Sequence, residues 1–311
     1  MDTPLKGRDL LTMADLSPED LRLILDRAVH QKSQWASGTR STPHAGKSVA
    51  LIFMKPSLRT RVSFEVACQR LGVHPVVLGG SDTVFSRGES VYDSVKVLER
   101  YVDAICIRTF EHSMAAEIAE IASVPVVNML TDDHHPCQGL ADLLTIEEHF
   151  GRLSGLTLTY VGDGNNMTHT YLLGGAIAGM HVVVATPEGY DPIPAIVEQA
   201  RSIAETTGGR ITLLRDPHEA VSGADVVVTD TWASMGQEDE HAARTATFAD
   251  YRVDSKLMAA ASERAVFMHC LPAHRGEEVT DEVIDAPNSL VFDEAENRLH
   301  AQKALLSLLL G

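Results

Sequence analysis

Short apolar runs alternate with longer amphipathic segments along this chain, and this alternation limits the fold more than any other feature of the sequence. Near-continuous apolar runs of this length are typical of parallel strands that are buried on both faces of a sheet. The runs lie at 48–54, 75–79, 104–109 and 124–129 in the first half and at 156–162, 181–187, 211–215, 224–230, 265–271 and 289–295 in the second. We therefore predict an α/β protein with two doubly wound parallel-sheet domains.

The length of 311 residues predicts two domains, because a single hydrophobic core rarely extends beyond about 250–300 residues. A first helix is predicted after Ser17, where a proline is followed by two acids. A second helix, 138–150, is predicted to bridge the domains. The predicted domains are 1–150, on which a closing helix 296–311 packs back, and 151–295.

The charge balance excludes some classes of partner. With 26 basic and 43 acidic residues the net charge is −17, so nucleic acids and anionic membranes would be repelled. No stretch reaches the ~18 apolar residues that a membrane span needs. Four cysteines without a CxxC pair predict free thiols in a reducing cytoplasm rather than a disulfide framework.

Positive charge is nevertheless concentrated in "FMKPSLRTRVSFE", residues 53–65, at the end of the first predicted strand. Ser57 is predicted to cap a helix whose N-terminal N–H groups and dipole favour an anion, with Arg59 and Thr60 as further donors. The segment predicts a phosphate site. A capped helix with solvated arginines is an equally good interpretation of this segment alone.

Polar residues also follow the third and fourth predicted strands. Arg108 ends the third, and "HHPCQ" after the fourth brings His135 and Gln138 to the start of the bridging helix. Arg108 and His135 could polarise a carbonyl oxygen while Gln138 accepts from an amide N–H. A zinc site formed by His134, His135 and Cys137 is the alternative, although no second Cys/His pair lies at ligand spacing.

The second half presents amides, an acid and a thiol at its predicted strand ends. "VGDGNNMTHT" lacks the GxGxxG pattern of a dinucleotide site and offers Asn165 and Asn166, which suit a carboxylate or an amine. A nucleotide-dependent dehydrogenase is therefore a weak alternative. Asp230 ends a strand with Ser234 and Met235 in the following loop, and Cys270 ends another, where an inert buried thiol is the commoner interpretation.

Together these segments resemble the aspartate/ornithine carbamoyltransferase family. The resemblance is carried by "SLRTR", Arg108, "HPCQ", "GDGNN", "DTWASMG", "HCLPAHRGEE" and "ENRLH", in the family's order and across nearly the whole length. "SLRTR" and "HPCQ" fit the whole family, whereas "SMG" with "HCLP" points to ornithine as the acceptor. The resemblance implies transfer of a carbamoyl group from carbamoyl phosphate to the δ-amine of L-ornithine, as in arginine biosynthesis.

The resemblance also implies the roles of individual residues. The carbamoyl phosphate site would comprise Ser57, Leu58, Arg59, Thr60, Arg108, His135, Pro136, Cys137, Gln138, Cys270, Leu271 and Arg298. The ornithine site would comprise Asn165, Asn166, Asp230, Ser234 and Met235, and the catalytic residues would be Arg108, His135, Asp230 and Cys270. Neither a cofactor nor a metal is implied. The family pattern further implies a homotrimer with sites at subunit interfaces.

Three points stay open in the sequence. Acetylornithine, succinylornithine or putrescine could replace ornithine as acceptor, and a non-catalytic binding paralogue is a second alternative. Leu58 stands where many family members have Thr, so only its backbone N–H can serve. In "TVFSRGE", residues 83–89, Val84 stands where the family commonly has a Gln that reaches a neighbouring subunit's site. Ser86 or Arg87 is expected to supply the missing donor.

Overall fold

The computed structural model describes residues 3–79, 89–233 and 241–311. The chain folds into two compact units. Unit 1 comprises Met1–Leu144 and Glu296–Gly311, and unit 2 comprises Thr145–Ala295. The predicted domain boundary at 150/151 falls six residues after the end of the first segment of unit 1, at the end of a continuous helix.

Unit 1 contains, within its described residues, a four-stranded parallel sheet in the order β2-β1-β3-β4. Its strands are β1 Ser48–Phe53, β2 His74–Gly79, β3 Ala104–Arg108 and β4 Val126–Leu130. The helices are α1 Pro18–Ala36, α2 Leu58–Leu71, α3 Val91–Leu98, α4 His112–Ile121 and α5 Pro136–Phe150, the last of which continues into unit 2. A short 3-10 helix, Met13–Asp15, precedes α1.

Unit 2 contains, in the part of the chain that the structure describes, a five-stranded parallel sheet in the order β7-β6-β5-β8-β9. Its strands are β5 Thr157–Val161, β6 His181–Ala185, β7 Arg210–Leu214, β8 Val226–Thr229 and β9 Val266–His269. The helices are α6 Asn166–Ile177, α7 Pro194–Thr207, α8 Pro217–Val221, α9 His241–Phe248, α10 Ser255–Met258, α11 Asp281–Ile284 and α12 Val291–Leu310, the last of which ends in unit 1. A 3-10 helix, Ala249–Tyr251, follows α9.

The central strands explain why apolar periodicity located the sheets. Every residue of β3 is buried, and so are all but the first residue of β1 and of β5. A strand buried along both faces has no polar side to alternate with, which produces the continuous apolar runs. The α/β class and the parallel sheets predicted from the sequence are confirmed.

The tenth predicted strand, 289–295, is wrong. Val291 begins α12, which runs to Leu310, and only an isolated bridge between Phe267 and Ser289 pairs this segment with β9. A short apolar run does not distinguish a strand from the first turn of a buried helix. The acids Asp293 and Glu294 favour the helix, because negative charge in a first turn complements the helix dipole.

The chain contains no helix, among those described, that is both long enough and apolar enough to cross a lipid bilayer.

Candidate active site

The cations of the 53–65 segment have different partners. Lys55 is buried and ion-paired with Asp132, and Arg61 pairs with Glu65 one helical turn away at 2.7 Å. Arg59 makes no hydrogen bond or ion pair with any residue in the described ranges. The segment therefore presents one available guanidinium rather than three positive charges.

The N-terminus of α2 is open to an anion. Ser57 is its N-cap residue, with φ −160° and ψ 113°, but the Ser57 side chain makes no capping hydrogen bond, so the predicted cap is wrong. The first N–H groups of a helix have no partner within it, and the helix dipole adds partial positive charge there. These groups belong to Leu58, Arg59 and Thr60, and the Leu58 side chain is 76 % exposed. Such a terminus suits a phosphate.

A buried polar network joins three helices of unit 1. Arg298 of α12 donates from Nη1 to Gln138 Oε1 at 2.6 Å and from Nη2 to Thr60 Oγ1 at 3.1 Å. Gln138 in turn donates to Asp142 Oδ1 at 2.7 Å within α5. All four side chains are buried. A guanidinium fixed at two ends in a low-dielectric site is pre-oriented, so little entropy is lost when a ligand binds.

His135 lies in the same cationic surroundings. Arg108, the last residue of β3, and His135 are both buried. Burial, followed by the positive charges of Arg298 and Arg108, holds the pKa of His135 well below its usual value of 6.5. The imidazole is therefore neutral at pH 7 and can donate one hydrogen bond to a carbonyl oxygen.

The Cys137 thiol is poorly suited to bind a metal ion. Its buried thiol donates to the Asn128 carbonyl at 3.4 Å, and burial raises its pKa to about 12. Within residues 3–79, 89–233 and 241–311, His134, His135 and Cys137 do not form a three-ligand cluster. Two other groups do bring three possible ligand atoms within 4.8 Å of one another: Asp230, His269 and Cys270, and His274, Glu277 and Glu278.

In unit 2, Asp230 is the centre of a second polar site. It follows β8 and is 9 % exposed. Its Oδ1 accepts from Cys270 Sγ at 3.1 Å and from the Thr231 N–H at 2.8 Å, and its Oδ2 accepts from Asn165 Nδ2 at 3.0 Å. Asp230, Asn165 and Cys270 come from the ends of β8, β5 and β9, so the sheet topology brings them together.

Asn165 is occupied by contacts within unit 2. It is the N-cap of α6, where its Oδ1 accepts from the N–H groups of Met167 at 2.9 Å and Thr168 at 3.2 Å. Its amide nitrogen already holds Asp230. The Asn165 side chain thus caps α6 and orients the Asp230 carboxylate. Asn166 occupies the first position of α6.

The sequence interpretation missed the residues that support the Cys270–Leu271 turn. The fully buried His269 accepts the Leu271 N–H at Nδ1, 2.9 Å away, and its Nε2 lies 3.2 Å from Oε1 of the fully buried Glu278. Since Nδ1 accepts, Nε2 carries the proton and donates to Glu278. Leu271 has φ 57°, a left-handed conformation that a leucine rarely adopts. The sequence feature that could have indicated this role is a histidine, His269, at the end of an apolar strand.

Arg244 was also missed. It lies on α9 and donates from Nη1 to Asp163 Oδ2 at 2.7 Å and to the Trp232 carbonyl at 3.0 Å. Both side chains of the ion pair are at most 13 % exposed. Arg244 thereby links the "GDGNN" turn to the backbone that follows Asp230. The predicted site residues Ser234 and Met235, and the loop residues Val84, Ser86 and Arg87, lie outside the described residues.

The fold and these two sites define a class of protein. It has two parallel α/β units, one with a positively charged pocket that suits an anion and the other with a site formed by an acid, an amide and a thiol. Two family models match it. One is described as the carbamoyl-P binding domain of aspartate/ornithine carbamoyltransferase and matches residues 8–148, and the other as its Asp/Orn binding domain and matches residues 154–309. The chain belongs to the aspartate/ornithine carbamoyltransferase family.

Individual relatives are similar along their whole length. An ornithine carbamoyltransferase from Anoxybacillus flavithermus is 54 % identical over 98 % of both chains, and one from Pyrococcus abyssi is 51 % identical over 100 % of this chain and 98 % of its own. The solved structure of ornithine carbamoyltransferase from Pyrococcus furiosus has a TM-score of 0.97 and 49 % identity, covering 100 % of this chain and 99 % of the other.

Proposed function

We propose that this protein transfers the carbamoyl group of carbamoyl phosphate to the δ-amine of L-ornithine, giving L-citrulline and phosphate. The observation that carries this proposal is the carboxylate of Asp230, which is held by Cys270, Asn165 and the Thr231 N–H in unit 2. A carboxylate suits the free α-ammonium group of ornithine and gives no comparable ion pair with an acylated amide nitrogen. The full-length similarity to ornithine carbamoyltransferases supports the same acceptor.

Carbamoyl phosphate is assigned to unit 1. The phosphate dianion would lie at the N-terminus of α2, bound by the backbone N–H groups of Leu58, Arg59 and Thr60 and by the Arg59 guanidinium, which has no other partner among the described residues. Ser57 would contribute its hydroxyl, which no helix cap occupies. Arg108 would complete the phosphate contacts from the end of β3.

The carbamoyl group is assigned to the buried network. Neutral His135 would donate to the carbonyl oxygen together with Thr60 and Arg108, and these bonds strengthen as negative charge develops on that oxygen. Gln138, already held by Arg298, would accept from the carbamoyl amide. Pro136 fixes the start of α5, and the buried thiol of Cys137 donates to the Asn128 carbonyl.

The acceptor is assigned to unit 2. Asn166 would bind the α-carboxylate of ornithine, and Asp230, with Ser234 and Met235, the α-amino side. Asn165 keeps a supporting role, because its side chain already caps α6 and holds Asp230. Sequence resemblance alone supports the roles of Ser234 and Met235.

The reaction forms one C–N bond and breaks one C–O bond. The neutral δ-amine attacks the carbamoyl carbon, and the C–O bond to phosphate breaks. The nitrogen of the new C–N bond then carries an extra proton, which must leave. At neutral pH only about one free alkylamine in a thousand is unprotonated, because the pKa of its ammonium form is about 10.4. Cys270 would accept a proton at Sγ while passing its own to Asp230 Oδ1, 3.1 Å away.

The direct test is a citrulline assay with carbamoyl phosphate and a panel of acceptors: ornithine, acetylornithine, succinylornithine, putrescine and aspartate. The highest kcat/KM is expected with ornithine. A higher value with any acylated ornithine or with putrescine would contradict the assignment of Asp230. If no acceptor gave turnover, the alternative of a non-catalytic binding paralogue would be favoured.

The assembly and the cellular role belong to the same proposal. We infer a homotrimer with active sites at its subunit interfaces, which is supported by Leu58 and Val62, two exposed apolar residues one turn apart on α2. Four free cysteines support a reducing cytoplasm, and citrulline formation suits arginine biosynthesis. Light scattering of the purified protein tests the trimer, since a monomer or a dimer would contradict it.

A further inference from the structure

A cationic cluster surrounds Trp35 at the end of α1 in unit 1. The Arg40 Cζ lies 3.6 Å and the Arg70 Cζ 3.9 Å from the centroid of the Trp35 ring. Lys303 of α12 brings its Nζ to 5.8 Å from the same centroid. Three positive charges from three parts of the chain therefore converge on one aromatic side chain, in a protein whose net charge is −17.

The charges of this Trp35 cluster are poorly compensated. Arg40 donates to the backbone carbonyls of Trp35 and Thr39, which carry no charge. Among the described residues, the acid that acts on Arg70 is Glu296, which is exposed and also lies 3.2 Å from His300. Like charges this close repel each other, and the negative face of the Trp35 ring offsets only part of that repulsion, so a bound anion would stabilise the cluster.

Lys303 shows the deficit most clearly. Its side chain is more than nine-tenths buried, yet its ammonium makes no hydrogen bond or ion pair with a residue of the described ranges. Burial, followed by the charges of Arg70 and Arg40, lowers the pKa of Lys303. The Lys303 stem is buried while its ammonium stays open to solvent, so an anion can reach it.

The cluster is separate from the phosphate pocket proposed above. Arg70 lies in the last turn of α2, whereas Arg59 lies in its first turn. About eleven residues of α-helix span about 16 Å. One small ligand cannot reach both ends of that helix.

We propose that Trp35, Arg40, Arg70 and Lys303 form a second anion site, which binds a small oligophosphate. Two guanidinium groups and one ammonium match the several negative charges and the paired oxygens of linked phosphoryl groups. The site goes beyond the proposed reaction and uses none of its residues. The phosphoryl groups could come from inorganic oligophosphate or from the tail of a nucleotide.

The test uses the intrinsic fluorescence of Trp35. The chain has two tryptophans, so Trp232→Phe leaves Trp35 as the single reporter. Tripolyphosphate and ATP are titrated in parallel, without divalent cations, at low and at high salt. We expect saturable quenching that weakens as salt rises. Equal affinities assign the site to the phosphates alone, and tighter binding of ATP assigns it to a nucleotide.

Three further variants in the Trp232→Phe background locate the ligand. The double variant Arg40→Gln/Arg70→Gln should bind tripolyphosphate at least about tenfold more weakly, as expected when charge-assisted hydrogen bonds are lost. Arg22→Gln removes a cation that pairs with Asp26 on the same helix α1, and it should bind normally. Arg59→Ala disables the phosphate pocket at the other end of α2 and should also bind normally.

Several results would overturn the site: no quenching at millimolar tripolyphosphate, an equal loss in Arg22→Gln, or a loss confined to Arg59→Ala. Isothermal titration calorimetry of the unmodified protein and of Arg40→Gln/Arg70→Gln repeats the comparison without the Trp232 substitution. Failure of citrulline synthesis would leave this binding test unaffected, so the two proposals can fail separately.

Discussion

The two polar sites of the molecule are built in opposite ways. In unit 1 the pocket is cationic, and side chain to side chain hydrogen bonds hold it together across three helices, with Arg298 bound to both Gln138 and Thr60. In unit 2 the site is acidic, and its carboxylate is held by a backbone N–H, an amide and a thiol at strand ends. The difference is what the proposed assignment requires, because an anion suits the cationic pocket of unit 1 and an ammonium suits the acidic site of unit 2.

The largest effect should come from the centre of the acidic site. Asp230→Asn keeps the size of the side chain but removes both the charge and the proton acceptor, so kcat/KM for ornithine should fall about 10³-fold. The KM for carbamoyl phosphate should change little, which steady-state kinetics with each substrate varied in turn would measure. A comparable rise in both KM values would mean that the two sites do not divide the substrates.

Cys270→Ala should lower kcat about 10²-fold and leave the binding of carbamoyl phosphate nearly unchanged, because a proton relay acts on the attacking amine. The matched control is Cys137→Ala, since that thiol is buried and donates to the Asn128 carbonyl. The control should lose thermal stability and keep its kcat. An unchanged kcat in Cys270→Ala would make Cys270 an inert residue.

Arg298→Ala tests the cationic network. Losing hydrogen bonds from a charged group costs about 1.5–3 kcal/mol, so the KM for carbamoyl phosphate should rise roughly ten- to a hundredfold. Arg298→Lys restores the charge without the planar fork, and it should recover only a small part of the loss. Full recovery with lysine would show that charge alone matters and that the double contact to Gln138 and Thr60 does not.

The smallest effect concerns stability. The pKa of His135 is lower in the folded protein than in the unfolded chain, so the unfolded chain binds more protons as the pH falls below about 6.5. Stability from neutral His135 is therefore complete above that pH and is lost below it, by at most about 1.4 kcal/mol per pH unit. His135→Asn should flatten the decline of the urea midpoint between about pH 6.5 and about pH 5. Parallel curves for the two proteins would contradict the neutral imidazole.

Much of this comparison could be predicted from the sequence. Buried parallel strands give continuous apolar runs, so the positions of Arg108, Asp230 and Cys270 at strand ends were predictable, as the structure confirms. The ends of the helices were less predictable. Ser57 has the residue type of a cap and does not act as one, whereas Asn165, predicted as a ligand, does cap α6.

Contacts between distant residues could not be predicted from local pattern. Lys55 pairs with Asp132, 77 positions away, and Asn165 donates to Asp230, 65 positions away. Local spacing carries no record of which polar side chains the topology brings together, because each pairing depends on the packing of whole elements. The same limit applies to Arg244, whose contact with Asp163 spans 81 positions.

The discontinuity of unit 1 has a consequence for synthesis on the ribosome. Unit 2 is one continuous segment, whereas unit 1 needs the buried leucines of α12 at the other end of the sequence, among them Leu305 and Leu309. The N-terminal segment of unit 1 therefore cannot complete its core until the 20 residues of α12 have left the exit tunnel, and part of its apolar surface stays exposed until then. Released chains truncated before α12 should accordingly be more resistant to protease in 145–290 than in 3–79, and a chaperone that shields apolar surface would act on the part of the polypeptide that was made first.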